Sequence, residues 1–246
     1  YVFLALYDAD ANLAVTIRYL RERGWRRIAY LGTNDATGLD AERALNNALA
    51  LPENAGVQIV SRQHFAPSDI SVAAQVAAIK AAAPDALIGW AAGTPAGTMF
   101  HGLHDGGLDI PTVTSQANLN VPFFKQFGSI APANLYFSGA PINVAGTVTN
   151  AALRKALGDL TASFAASGAK PELIQIAAWD PGLLLVDALR KLGPDATPAK
   201  LRAYLLALKG WTGAMGRYDF PANPQHGVGQ NAVVMIRYNP ALGTTQ

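Results

Sequence analysis

Cysteine is absent from all 246 residues. Without thiols the chain can hold no disulfide framework, no thiolate nucleophile and no sulfur-ligated zinc. Charge is sparse as well. Asp, Glu, Lys and Arg make up only 15% of the chain, and 19 basic against 17 acidic residues leave a formal net charge of +2. The sequence pI near 8.9 rests on that small difference and describes no basic stripe able to neutralise phosphates, so no nucleic-acid partner is expected. Long apolar runs are missing too. Candidates such as 183–186 and 232–236 are core-sized and far short of the roughly 18 residues that span a bilayer, so no membrane insertion is expected. The 15 prolines and 23 glycines are spread through a chain that is half apolar. That is the composition of a packed globule with a sizeable core, one large domain or two small ones, and not of a disordered, collagen-like or coiled-coil chain.

The motifs of common catalysts are missing in the same way. The loop from Gly32 to Gly38 and the loop Gly93-Thr94-Pro95-Ala96-Gly97 lack both the G-x-G-x-x-G spacing and the lysine of a phosphate-binding loop. No G-x-S-x-G elbow activates a serine. His101 and His104 stand three apart on one helical face, a spacing that suits a metal pair, but no third ligand completes H-E-x-x-H and a solvated face explains them better. No catalytic residue, metal or cofactor is therefore expected.

What is present is an alternation. Strand-like runs at 1–6, 27–32, 57–63, 86–90, 112–114 and 135–137 are each bounded by Gly, Pro, Asn or Asp. Between them lie helical stretches at 12–23, stopped by Gly24, and at 39–51. A third is announced by Asp69 and Ser71 and ended by Pro84; a fourth opens near Thr94-Pro95 and closes at Gly106-Gly107. Such alternation predicts a mostly parallel sheet covered on both faces. After Pro141 the pattern changes to three helical stretches, 149–167, 174–192 and 198–208, with no clear strand between them. In the second of these Asp180 reads as a cap and Pro181 as a first-turn residue. The segment 210–229 is glycine-rich, and 231–238 is a last strand-like run. Strand 1–6 opens the chain as if already under way, and no signal peptide is visible; a preceding segment is expected.

The order of parts then becomes informative. Tyr1, Val2 and Phe3 with Asp8 precede a helix, followed by Arg27-Ile28-Ala29-Tyr30-Leu31 and Thr37-Gly38-Leu39. Next come Phe65-Ala66-Pro67-Ser68-Asp69-Ile70-Ser71, Gln75-Val76-Ala77-Ala78-Ile79-Lys80, Pro84-Asp85-Ala86-Leu87-Ile88 and Gly107-Leu108-Asp109-Ile110-Pro111. From residue 1 to at least Tyr238 this series resembles the second half of the branched-chain amino-acid type of periplasmic substrate-binding protein, which serves ABC importers. The resemblance implies an α/β fold, a two-lobed type I clamshell with Rossmann-like parallel sheets and a small-molecule ligand enclosed in the cleft. It implies residues 1–140 as the second ligand-binding lobe, 141–232 as a helical return to a first lobe that is incomplete in this chain, and 233–246 as the final strand and tail. The missing N-terminal segment of the first lobe would supply the sheet those late helices lack.

Carried over position by position, the family's contacts fall on Thr37, where members commonly carry Tyr; on Ala92, Gly93 and Thr94; and on Gln116 beside Asn118, where amino-acid binders place a carboxylate for the ligand ammonium. Burying an unpaired ammonium costs on the order of several kcal/mol. The expected ligand is thus not an α-amino acid but a bulkier neutral or acidic molecule, an aromatic acid or an amide, stacked near Trp90 at the end of its strand. The resemblance further implies an exported, periplasmic protein whose partner is an ABC permease. The alternatives are a ligand-sensing regulatory protein of the same fold and an α/β enzyme.

Overall fold

In a computed structural model describing residues 2–239, 244 and 245, the chain divides into two compact units, 9–139 with 235–246 and 1–8 with 140–234. The first unit carries helix α1 (Ala9–Glu22), then β1 (Arg27–Thr33), α2 (Ala36–Leu49), β2 (Gln58–Phe65), α3 (Ala73–Ala81) and β3 (Ala86–Trp90). It continues through α4 (Thr94–Asp105), β4 (Thr112–Thr114), α5 (Val121–Phe127) and β5 (Leu135–Gly139). Strands β1 to β5 pair in parallel in the order β2-β1-β3-β4-β5. Strand β8 (Val234–Asn239) lies beyond β5, with β9 (Thr244–Thr245) antiparallel to it at the far edge.

Strand parity sorts the core into two layers, because successive side chains leave opposite faces of a sheet. Ile28 and Tyr30 of β1, Ala86, Ile88 and Trp90 of β3, Val113 of β4 and Tyr136 of β5 face α1 and α2. There they meet Leu13, Ile17 and Leu20 of α1 and Ala41 and Leu45 of α2. The alternate residues face α3, α4 and α5: Gly89 leaves room for the Met99 thioether, and Phe137 packs against Phe123 and Phe124 with ring centroids 6.0 and 5.5 Å apart. Strands buried on both faces read as continuous apolar runs, which is why β1 and β3 are legible as strands without polar alternation. Arg43 of α2 holds α1 by two bonds to the Asp10 carboxylate, 3.1 and 2.7 Å, and keeps that carboxyl below its ordinary range.

The other unit holds α6 (Ala151–Phe164), α7 (Leu173–Leu192), α8 (Pro198–Ala207) and a short antiparallel pair, β6 (Lys209–Thr212) with β7 (Arg217–Asp219). Three expectations are corrected here. Residues 2–6 form no strand; the Leu4 amide donates to the Gln225 carbonyl, while the Ala5 and Leu6 carbonyls meet the Tyr218 hydroxyl and His226. Those side-on bonds tie residues 1–8 to 140–234 rather than to the parallel sheet; Tyr1 lies outside the described residues. Asp180 is no cap: α7 starts seven residues earlier, behind Glu172, and runs through Pro181. Asp69 does not cap α3 either, since its carboxylate accepts from the Ala66 amide and closes a turn, leaving the Ser71 hydroxyl to accept from Ala73. A further finding is the β6–β7 pair, hidden in the sequence by its glycines.

Asp180 explains one of those glycines, Gly213. Asp180 is fully buried (0% exposed) and accepts from the Ala214 and Met215 amides at 2.8 and 2.7 Å and from the Tyr218 hydroxyl at 2.9 Å. Burial holds its carboxyl above the ordinary carboxylate range, although the two amides and the phenol act in the opposite direction. A Cβ on Gly213 would lie 2.5 Å from that carboxylate, so the loop between β6 and β7 can wrap Asp180 only with glycine there. On α7, Leu183, Leu185, Val186 and Leu189 remain 39–49% exposed, and Pro181, Leu184 and Leu185 with Phe3, Leu201 and Phe220 line an apolar cavity of about 170 Å³. Among the described residues, no helix is long and apolar enough to cross a membrane.

Removing the acceptor of three buried hydrogen bonds while stranding three donors is costly. Asp180→Ala is expected to lower unfolding free energy by about 3–5 kcal/mol, read from urea titration, and a loss under 1 kcal/mol would contradict the role given to this carboxylate.

Candidate functional site

In a parallel sheet every strand is followed by a helix, so the loops after β1, β3 and β4 gather at one edge, the carboxyl edge. The order β2-β1-β3 puts the topological switch point between β1 and β3, where open α/β sheets receive ligands. All seven predicted residues lie on or beside those loops, and the structure separates them by the layer they serve.

On the α1 and α2 side stand Thr37, Trp90 and Gln116. Thr37 is exposed in the first turn of α2. The Asp35 side chain caps that turn, accepting from the Gly38 amide at 3.0 Å and from the Thr33 hydroxyl at 2.7 Å, which together hold its carboxyl below the ordinary range. Gly38 explains the Thr-Gly pair. A Cβ there would stand 1.7 Å from the Thr33 carbonyl oxygen, and the Tyr30 hydroxyl donates to the Gly38 carbonyl at 3.0 Å. Trp90 is only 4% exposed and belongs to the core between the sheet and α1; parity directs it there with Ile88 and Ala86, so the structure builds its ring into the packing instead of displaying it on the rim. Gln116 opens a single 3-10 turn (Gln116–Asn118) and is half-buried, its Oε1 accepting from Asn12 Nδ2 at 2.5 Å.

The remaining residues face the α4 and α5 side. Gly93, with φ of 63°, is the residue before α4; Thr94 begins the helix and Ala92 precedes both, half-buried. Asn118 is 2% exposed and spends both amide protons inside the protein, on the Ala91 carbonyl at 2.8 Å and the Thr114 hydroxyl at 3.0 Å. It therefore ties the loop after β3 to the end of β4 and fixes where Gly93 and Thr94 stand. Gly93, Thr94 and Asn118 open onto a groove of about 570 Å³ whose other walls include Thr98, His101, Gln126 and the rings of Phe123 and Phe127. Thr37, Ala92, Trp90 and Gln116 do not line it.

Sequence reasoning missed Asn12. It sits in the first part of α1, 1% exposed, beside Gln116 at the carboxyl edge. Its position opposite a loop residue more than a hundred positions away is set by α1 lying antiparallel to the strands, which no local pattern reports. His101 and His104 are both exposed on α4. Among the described residues no group of three His, Asp or Glu is placed to hold a metal ion.

A profile of the family described as periplasmic binding protein matches residues 1–240. No curated protein matches the chain. Among solved structures, an extracellular ligand-binding receptor from Rhodopseudomonas palustris HaA2 superposes with a TM-score of 0.85 at 22% identity, covering 99% of this chain and 68% of that one. A type 1 periplasmic binding protein from Bordetella pertussis Tohama I gives 0.77 at 20% identity, with 94% and 62% covered. A branched-chain amino acid transporter substrate-binding protein from Streptococcus pneumoniae, in complex with isoleucine, gives 0.73 at 18% identity, with 100% and 66% covered. The chain thus spans about two thirds of the length of these structures.

Two substitutions test how the loop after β1 is held. Gly38→Ala is expected to cost about 3 kcal/mol or more by overpacking against a backbone carbonyl that cannot move away, read as a fall in melting temperature. Asp35→Ala is expected to cost about 1 kcal/mol at neutral pH. Because the folded Asp35 carboxyl is held below its unfolded value, its contribution is present above the ordinary carboxylate range and is lost as pH falls through the folded value. The wild-type and Asp35→Ala stabilities should accordingly converge in acid, and a gap that widens there would contradict the cap.

Proposed function

This chain belongs to the periplasmic binding protein family, and from that premise we propose that it is the solute-binding component of an ABC importer for a small ligand without an α-ammonium group, an aromatic acid or an amide. As a member of the family it is a periplasmic ligand-binding protein and not an enzyme. The ligand is received at the carboxyl edge of the parallel sheet, enclosed by closure of the first lobe, and the closed form is what a membrane permease engages.

The observation that carries this reading is the lack of a carboxylate among the predicted contact residues, the nearby Asp10 on α1 being held by Arg43. Thr37, Ala92, Gly93, Thr94, Gln116 and Asn118 bring hydroxyl, amide and backbone groups but no carboxylate, and Gln116 stands where amino-acid binders of this type place the anion. Asp35, the nearest carboxylate in sequence to Thr37, is already engaged with Gly38 and Thr33. An ammonium enclosed there would lose its hydration without a counter-charge. The exposed apolar stripe of α7 fits the same reading, with the sheet of the first lobe, carried on a further segment, covering it.

Calorimetry on the full-length protein is the test. Benzoate or benzamide is expected to bind at least about tenfold more tightly than Leu, Ile or Val, and micromolar or tighter binding of Leu would overturn the ligand class. Gln116→Glu should weaken benzoate by about 1 to several kcal/mol, by setting a second anion beside the ligand carboxylate.

A further inference from the structure

The contact between Asn12 and Gln116 fixes more than a position. Asn12 is 1% exposed, so its amide cannot turn out into water. Its Nδ2 donates to Gln116 Oε1 at 2.5 Å, while its own Oδ1 is buried with no partner. The reverse pairing, Gln116 donating to Asn12, would bury the two protons of Asn12 Nδ2 where now a single carbonyl oxygen lies unpaired. Buried N–H groups without an acceptor are rarer and costlier than under-satisfied carbonyl oxygens, so the observed pairing is the favoured one.

We infer that Asn12 is a positioning residue that sets the hydrogen-bonding sense of the site: it occupies the carbonyl oxygen of Gln116 and leaves the Gln116 Nε2 protons as the group offered to a ligand. This rests on the reading of the carboxyl edge as the ligand site. A donor at that point selects an acceptor, a carboxylate or carbonyl oxygen, and disfavours a cationic or donor-only group of the same shape, which would meet N–H with N–H. Specificity against donors is then built from a neutral side chain whose direction is imposed by a neighbour, with no charged residue involved.

Two measurements on the full-length protein test this. In side-chain amide NMR of the ligand-free protein, the Asn12 Nδ2 protons should be protected against exchange with water and the Gln116 Nε2 protons should not. Protection of Gln116 instead, or of neither, overturns the inference whatever the protein binds. Benzoate and benzamidine, planar and close in size, then serve as acceptor-only and donor-only probes. Wild-type protein should prefer benzoate, and Asn12→Leu, which frees the Gln116 amide to rotate, should reduce that preference by about tenfold or more. An equal loss for both probes would mark Asn12 as merely structural and overturn the assignment. If Asn12→Leu does not fold, the exchange pattern of the wild-type protein decides. Should neither probe bind while the exchange pattern holds, the proposed ligand class fails and the amide orientation stands, so the two failures are told apart.

Discussion

Parallel strands cannot be joined by tight turns, and most of the organisation of residues 9–139 follows from that. Each passage from one strand to the next must cross a face of the sheet as a helix, so every strand releases its chain at the same edge. Five strands thereby bring loops from residues 34–35, 91–93 and 115–120 together, although more than eighty positions separate the first from the last. Their backbone groups at that edge are only partly used by the sheet. The side chains that can be spared there are those not needed in either layer of the core, and parity decides which these are. Trp90 is claimed by the α1 layer because Ile88 and Ala86 are, whereas Gly93 and Thr94 lie past the strand end and escape that claim.

Polar groups near that edge are largely spoken for by the protein itself. Asn118 spends both its protons on the loop it holds; Asp35 spends one oxygen on a helix cap and a threonine hydroxyl; Gln116 spends its carbonyl on Asn12. Such commitments rigidify a site at the cost of its freedom to adapt, which is the condition for selecting among ligands of one shape. The unit that contains 140–234 uses the same device with a charge-capable group. Asp180 holds two consecutive amides and a phenol, and the loop it organises carries glycine at 213 because a Cβ there would strike the carboxylate. In both places a single buried side chain does what a longer hydrogen-bonded ladder does in the sheet.

The fold was legible where periodicity and punctuation agreed. Ala86–Trp90 and Thr112–Thr114 coincide with the runs read from the sequence, and α4 opens at Thr94-Pro95 as its residues suggest. Legibility failed where a distant partner overrode local preference. Residues 2–6 are apolar and β-prone, yet their backbone bonds are made to Gln225, Tyr218 and His226, more than two hundred positions away, so no ladder forms. Asp180-Pro181 has the chemistry of a helix start, but the apolar contacts on either side carry α7 straight through it, and the Asp180 carboxylate finds amides from another segment. The β6–β7 pair is hidden because both strands are short and Gly210, at φ of 85° inside β6, breaks the pattern by which strands are recognised.

For the site, sequence identifies which loops reach the carboxyl edge and which residue types they carry. It does not identify which way a side chain's atoms are turned, because that depends on what those atoms already bond to. Gln116 illustrates the difference. An amide is a donor at one end and an acceptor at the other, so the residue name alone is compatible with a site for either kind of ligand. Position 116 acquires one sense only through Asn12, a residue of another element whose burial removes its freedom to rotate. In a neutral site, then, the chemistry presented to a ligand belongs to pairs of residues, and the second member of each pair is found only when the fold brings it alongside the first.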